Sequence, residues 1–367
     1  MATSDEIINL LRLLNTVGIG SVTCHRLIAE YGSAEAAVAA LLHLGKPVQP
    51  LEQAQAEYDS CLAADITIIL ADDDIYPQQL KTLNDYPPLL YAKGNISTLS
   101  FNRSVAIVGS RSASINGCKI AATIAHDLAT QDVCIISGMA RGIDSAAHLG
   151  ALSSTKQFPT VAVLGTGIDV VYPPENTELY NRIAQNGCLI SEYPLTTQGN
   201  SINFPRRNRL IAALSQAVLV VEAGLKSGSL ITADYAMKLN KPLFAVPGTP
   251  DFSKASGSNH LIKKGAWLAD CAQDILSHLT PAKPQVVPKF TQPQQKVLVF
   301  ANNDVNFSTN QTTNSSLIDL LTIDGVDIDE LVRLTGKPAA AIFAEISELE
   351  ISGIVQRLSG NRVALIK

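Results

Sequence analysis

Aromatic side chains are scarce in this chain, making up 5% of its 367 residues, with a single Trp. A core of stacked aromatic layers is thereby excluded. The 46% apolar fraction is mostly Ala, Leu, Ile and Val, which suits buried parallel strands and the helices that cover them. The same fraction excludes disorder of the whole chain. Long apolar runs are missing as well. The strongest stretches, 104–108 and 217–221, are of strand length, far below the ~20 residues of a spanning helix. The first residues, Met1-Ala2-Thr3-Ser4-Asp5-Glu6, are polar and acidic, opposite in character to a secretory leader. Six cysteines, at 24, 61, 118, 134, 188 and 271, form no Cys-x-x-Cys pair, so reduced thiols are expected rather than disulfides or zinc. Two or three domains of a soluble, cytoplasmic protein without a membrane partner follow from these absences.

Positive charge is in short supply. The net charge is −5, which rules out a uniformly basic polyelectrolyte. Its distribution is uneven: −7 over residues 1–100, +3 over 101–280 and −1 over 281–367. Only the middle segment can serve as a platform for a polyanion. No loop there matches Gly-x-Gly-x-x-Gly or the Walker pattern, so neither a tightly held dinucleotide nor a triphosphate hydrolase is supported, and no cofactor is expected. The six histidines show no metal-ligand spacing.

What the middle segment does contain is a regular alternation of strand and helix. Apolar runs at 105–108, 133–136, 161–164, 189–190, 218–221 and 243–246 are separated mostly by helical periodicity, as over 115–129 and up to about 152. The pattern predicts a Rossmann-like, doubly wound parallel sheet. Nearly every run ends in Gly, Ser or Thr, and in such a sheet these ends share one edge. Glycine allows close backbone approach to a phosphate, and a following helix offers unpaired N–H groups. Candidate contacts are Gly109 and Ser110, Ser137 and Gly138, Gly142, and Ser227, Gly228, Ser229 and Thr232. Arginines fall on the same edge: Arg111, Arg141 and the run Phe204-Pro205-Arg206-Arg207-Asn208-Arg209, with Lys226 beyond. Guanidinium forks suit phosphate, Asn208 suits backbone or base edges, and Phe204 offers a stacking face. Asp144 and His148, one helical turn apart, form a potential pair. Asp169, Glu192 and Glu222 end strands as catalytic carboxylates often do, without a visible nucleophile–base pair. Binding is favoured over turnover.

Residues 1–70 read as helical, with a break at Val17-Gly18-Ile19-Gly20-Ser21 and Ser21 as the N-cap of the next helix. Two readings stay open: a helix-hairpin-helix whose backbone N–H groups hold a phosphate, or a packing domain. The stretch 72–100, with Asp72-Asp73-Asp74 and Tyr86-Pro87-Pro88, reads as a linker feeding a short strand at 89–92. Residues 281–314, rich in Pro, Gln, Asn and Thr, read as a second linker. Residues 315–367 show helices at 316–321, 328–334 and 338–351, then a hairpin of 354–358 with 362–366. Three helices and a wing make a winged-helix pattern. The third helix carries Glu345, Glu348 and Glu350 and no Lys or Arg, which favours protein contact or packing over duplex reading.

Six motifs together resemble the DNA-processing protein A (DprA/Smf) family: Val-Gly-Ser-Arg at 108–111, Ser-Gly-Met-Ala-Arg-Gly-Ile-Asp at 137–144, Leu-Gly-Thr-Gly-Ile-Asp-Val-Val-Tyr-Pro-Pro-Glu-Asn at 164–176, Phe-Pro-Arg-Arg-Asn-Arg at 204–209, Ser-Gly-Ser-Leu-Ile-Thr-Ala at 227–233 and Phe-Ala-Val-Pro-Gly at 244–248. The resemblance implies a non-enzymatic mediator of natural transformation. Such proteins bind incoming single-stranded DNA, form homodimers, and help load the RecA recombinase in place of single-strand-binding protein. It implies a strand-binding pocket that includes Arg111 and the loops at 137–144, 206–209 and 227–232. The stretch 196–203 carries no positive charge, a departure from many members. The alternative class is a nucleotide-processing enzyme of the phosphoribohydrolase type, which uses a similar sheet with glycine-rich strand ends.

Overall fold

The computed structural model describes residues 3–156, 159–250 and 252–279, together with short pieces between 326 and 365. The chain divides into two compact units, Met1–Pro288 and Lys289–Lys367. The first begins with four helices, α1 (Ser4–Leu14), α2 (Ser21–Tyr31), α3 (Ala34–His43) and α4 (Leu51–Ala63). Side-chain caps start two of them. Thr3 and Glu6 form a capping box at α1, and the Ser33 hydroxyl accepts the Ala36 N–H at α3. The expected cap at Ser21 is corrected. Gly20 occupies the N-cap of α2 without any side-chain bond, and Ser21 is the first helical residue, already buried.

Strand β1 (Thr67–Leu70) pairs antiparallel with β2 (Leu89–Gly94). The boundary expected at residue 70 therefore falls inside the sheet. The stretch between these strands is no linker either: Tyr76 and Leu80 are buried, and the Tyr76 hydroxyl donates to Pro87 O at 2.7 Å. A chain of alternating elements follows: β3 (Ser104–Val108), α5 (Ile115–Thr130), β4 (Cys134–Ser137), α6 (Ile143–Leu152), β5 (Thr160–Leu164), α7 (Thr177–Asn186) and β6 (Cys188–Ser191). Then come α8 (Asn203–Leu214), β7 (Ala217–Val220), α9 (Ser229–Lys238), β8 (Leu243–Ala245), α10 (Ser256–Lys263), β9 (Trp267–Leu268) and α11 (Ala272–Leu276).

The sheet order is β1-β2-β6-β5-β4-β3-β7-β8-β9. Strands β6 through β9 are mutually parallel, and β2 joins them antiparallel through β6. The doubly wound sheet thus carries an antiparallel pair on one edge. Every residue of β3, β4, β5, β6 and β7 is buried, as expected of strands covered on both faces. One face packs Leu210, Ile211 and Leu214 of α8 and Ala233 and Ala236 of α9 against Ala106, Ile136 and Val218. The other packs Ile124 and Leu128 of α5 and Ala147 and Ala151 of α6 against Ile107, Ile135 and Leu219. The α5–α6 approach is close enough that a Cβ on Gly150 collides with the Ala122 carbonyl. The N-terminal helices share a third cluster with α7 and β2, tied by Glu57, which accepts from Tyr91 Oη at 2.6 Å and Asn15 Nδ2 at 2.7 Å.

Connectivity positions the site. The chain winds from β3 outward to β6, then returns to β7 on the opposite flank of β3. Neighbouring chain exits therefore diverge above β3 and β7, opening the crevice where ligands of such sheets bind.

In the second unit, β10 (Val326–Asp327), β11 (Val355–Leu358) and β12 (Arg362–Leu365) form an antiparallel sheet ordered β10-β12-β11. Strands β11 and β12 form the wing expected at 354–366, and β10 is a third strand that the sequence did not suggest. Leu331, Ile342, Ile346, Val355 and Val363 make its core. The linker expected at 281–314 and the helix at 316–321 lie outside the described residues.

Candidate nucleic-acid interface

A cleft of about 410 Å³ opens at the carboxyl ends of β3 and β7. Its walls come from four places: Gly109 and Arg111 after β3, Ala140 and Asp144 after β4, Phe204, Pro205, Arg207 and Asn208 at the start of α8, and Ser227, Gly228, Ser229 and Thr232 at the start of α9. Nine predicted contacts line it: Gly109, Arg111, Phe204, Arg207, Asn208, Ser227, Gly228, Ser229 and Thr232.

Arg111 and Phe204 form its central feature. The guanidinium carbon of Arg111 lies 5.1 Å from the centroid of the Phe204 ring, a cation–π arrangement. Behind Phe204 stands Tyr172, with ring centroids 4.9 Å apart and planes 29° from parallel. Gly165 and Gly199 make room for this pair, since a Cβ at Gly165 would come within 2.7 Å of the Phe204 ring and one at Gly199 within 3.0 Å of Tyr172. Tyr172 was quoted in a motif but given no role. Its signal was an aromatic residue in a turn just before two prolines.

Beneath lies Arg207, 3% exposed. Its guanidinium donates to Gly138 O at 2.8 Å and to Val163 O, and burial lowers its pKa to about 10, so it stays charged at neutral pH. Asp144 is buried beside it and accepts the Gly138 N–H at 3.1 Å. Burial raises the Asp144 carboxyl, opposed by Arg207 and by the N–H groups of Ala140 and Gly138. The expected Asp144–His148 pair does not form. His148 Nδ1 lies 2.7 Å from Thr160 Oγ1, whose own proton goes to Ile135 O, so the ring is the donor and Nδ1 carries hydrogen. Burial, and then the Arg207 cation, lowers the His148 pKa to about 3.

The wall at α9 is built for an anion. Gly228 is its N-cap, with nothing within 4 Å of where a Cβ would stand, and the Ser227 and Ser229 hydroxyls lie 2.8 Å apart. Thr232 is 1% exposed, and among the described residues its hydroxyl has no hydrogen-bond partner. The first N–H groups of α9 are answered from within the turn, by Ser227 O and Gly228 O, so it is the positive end of the helix, the two serine hydroxyls and the unanswered Thr232 hydroxyl that face the cleft.

Eight predicted contacts sit elsewhere, and the shared trough expected from positions 111, 141 and 206–209 is corrected accordingly. Ser110, Ser137, Gly138 and Gly142 are structural. The Ser110 N–H donates to Glu222 O at 2.7 Å, and the Ser137 hydroxyl donates to Ile107 O at 2.6 Å. Gly138 lies against the Arg207 guanidinium, where a Cβ would stand 2.5 Å from Nη2. Gly142, at φ +77°, lies against the Ser110 carbonyl. These glycines let loops pack on one another rather than on a ligand. Arg141 reaches out to Glu175 at 3.6 Å. Lys226 is exposed near the mouth without lining the cleft. Arg206 is exposed on another side of α8 and lines a different recess. Arg209 is 2% exposed and ion-paired with Asp85 at 3.1 Å and Glu192 at 2.5 Å, which removes it from any solvent-facing role.

The three strand-end carboxylates also have structural duties. Asp169 accepts the Thr196 N–H at 2.8 Å, and Glu192 holds Arg209. Glu222 accepts the N–H of Ser114 at 2.9 Å and its hydroxyl, fixing the N-cap of α5.

Two outcomes follow. Arg209→Ala strands Glu192 in the interior and should cost about 3–5 kcal/mol in chemical denaturation. His148 is neutral in the folded state down to about pH 3 but ionises near 6.5 when unfolded. The unfolded state therefore binds the extra proton, and stability should fall by about 1.4 kcal/mol per pH unit as pH drops below 6.5. Denaturation at pH 7, 6 and 5 should show a shallower slope in His148→Asn than in the parent.

The comparisons with known proteins agree with this architecture. The family model described as DNA recombination-mediator protein A matches residues 67–280, the DprA-like N-terminal HHH domain matches 4–59, and the DprA winged helix domain matches 309–361. Protein Smf of Escherichia coli is 35% identical over 81% of this chain and 77% of its own length. Protein Smf of Synechocystis is 32% identical over 79% and 78%. The crystal structure of DNA processing protein A from Streptococcus pneumoniae superposes with a TM-score of 0.62 at 33% identity, covering 76% of this chain and 98% of that one. A structure of DNA processing protein A from Helicobacter pylori, described for its single-stranded DNA binding mode, gives 0.53 at 32% identity, covering 58% and 94%. Among the described residues no helix is long and apolar enough to cross a membrane. A helical N-terminal domain, a doubly wound sheet with a cleft above its switch point, and a winged-helix domain, matched in that order, make this chain a member of the DNA-processing protein A (DprA/Smf) family of DNA recombination mediators.

Proposed function

We propose that this protein is a single-stranded DNA-binding recombination mediator of natural transformation. It acts in the cytoplasm as a homodimer, shields incoming strands, and loads RecA recombinase where single-strand-binding protein would otherwise sit. The observation that carries this reading is the Arg111–Phe204–Tyr172 stack beside the α9 N-terminus. A stacking face needs a base whose own faces are free, and a cleft of about 410 Å³ accommodates a nucleotide rather than a duplex. Phosphate is served by the Arg111 guanidinium, the positive end of α9 and the hydroxyls of Ser227, Ser229 and Thr232. The Helicobacter pylori relative, described by its single-stranded DNA binding mode, supports the same assignment. Dimer formation is supported by the edge strand β9, which pairs with β8 on one side and with no strand on the other among the described residues, and whose Trp267 and Leu268 are about half exposed.

Arg111→Ala tests the site. Arg111 is exposed, so its loss should leave thermal melting intact while weakening binding of oligothymidylate roughly tenfold or more by fluorescence anisotropy. Unchanged affinity with an intact melt rejects the site. RecA ATP hydrolysis on strands coated with single-strand-binding protein tests the loading step, with stimulation expected from the parent and not from Arg111→Ala. Release of free base from a nucleoside monophosphate would instead favour the hydrolase reading.

A further inference from the structure

A second recess, of about 160 Å³, lies where the α1–α2 hairpin meets the sheet. Gly20 and Ser21 from the hairpin form one side, Pro87 and Pro88 another, and Tyr193 and Arg206 a third. Helix α2, eleven residues long, points its N-terminus here, and Gly20 leaves that end without a side-chain cap. Glu192 also lines the recess, with its side chain 6% exposed. Its Oε2 is taken by Arg209, but among the described residues its Oε1 has no hydrogen-bond partner. The hairpin is held firmly, since His25 Nε2 lies 3.0 Å from Tyr86 O and its ring packs against that of Tyr86 at 4.0 Å.

This combination is asymmetric in a telling way. A bare anion would suit Arg206 and the end of α2 but not an unsatisfied carboxylate oxygen. A bare cation would suit only the carboxylate. A nucleotide satisfies all of them: phosphate at the helix end and Arg206, a flat base between proline and tyrosine walls, and a base N–H toward Glu192. Every unpaired base offers such an N–H on its pairing edge, and in a duplex that proton is already taken. The recess also adjoins the main cleft through α8. Phe204, Pro205, Arg207 and Asn208 line one side of the helix start, and Arg206 lines the other.

We infer that the recess between the N-terminal hairpin and the sheet is a second nucleotide subsite, which holds an adjacent unit of the strand bound in the main cleft. The inference rests on the single-stranded DNA reading above.

The decisive variant is Val22→Glu. Val22 is 58% exposed in the first turn of α2, and a carboxylate there complements the helix dipole while repelling a phosphate. Its melting temperature should be unchanged or raised. Anisotropy over a graded series of oligothymidylates, from the dinucleotide upward, should show the shortest ligands binding as in the parent. Longer ones should bind roughly three- to tenfold more weakly, with the salt slope reduced by about 0.7. Arg206→Ala should reproduce the length-dependent loss. Parental affinity and slope for Val22→Glu at every length overturn the subsite, as does an equal loss at all lengths. Arg111→Ala, measured alongside, separates the two claims. If it too is silent, the main cleft fails; if it weakens every length while Val22→Glu weakens none, only the second subsite fails.

Discussion

Burying the Arg207 guanidinium beneath the strand ends sets the geometry of what lies above it. Removing such a group from water costs several kcal/mol unless its donors are answered. Here they are answered by the carbonyls of Gly138 and Val163, with Asp144 buried close by. The bonds tie the start of α8 to the ends of β4 and β5, three elements far apart in sequence. Gly138 must lack a Cβ for the tie to fit. Once α8 is fixed, Phe204 has one place to stand, over Tyr172 and under Arg111. The cleft is therefore a consequence of a buried charge in its floor.

The same tie explains why the arginine run was misread as one stripe. Consecutive helical residues are rotated by about 100°, so Arg206, Arg207 and Arg209 leave α8 in three directions. One faces solvent, one supports the cleft, and one pairs with Asp85 and Glu192 on the far side. A run of arginines along the chain shows how much charge is present but not where each one points. The partners of Arg209, the half-exposed Asp85 and the buried Glu192, lie too distant along the chain to be paired with it by spacing.

Much of the sheet was legible because its strands are covered on both faces and so read as unbroken apolar runs. Strands β3 to β8 emerged this way. Strand β1 was absorbed into the preceding helical segment, since only Ala64, Asp65 and Ile66 separate it from α4. Strand β9 is two residues long and carries no periodicity. The glycines were legible as an edge but not as a mechanism. Gly109, Gly138 and Gly142 are filled by Ile143, Arg207 and Ser110 respectively, whereas only Gly228 among these four faces open space. A sequence shows that a backbone is bare and leaves open whether protein or ligand comes to meet it.

An acidic chain that binds a polyanion must rely on something other than bulk charge. Of the cations on the sheet's loop edge, Arg111 is exposed at the cleft and Arg207 is enclosed beneath it. The remaining attraction comes from a helix end, hydroxyls and an aromatic face, all without net charge and all fixed by the fold. Neutral donors release no counterions, so recognition built on them is less sensitive to salt than recognition built on a lysine-rich groove. They also demand geometry, since a helix end and a stacking ring are satisfied only by a backbone whose bases can turn outward. Under the proposed function, discrimination between single strand and duplex arises from the shape of the cleft, and the low positive charge of the edge sharpens it by leaving duplex DNA little to hold on to.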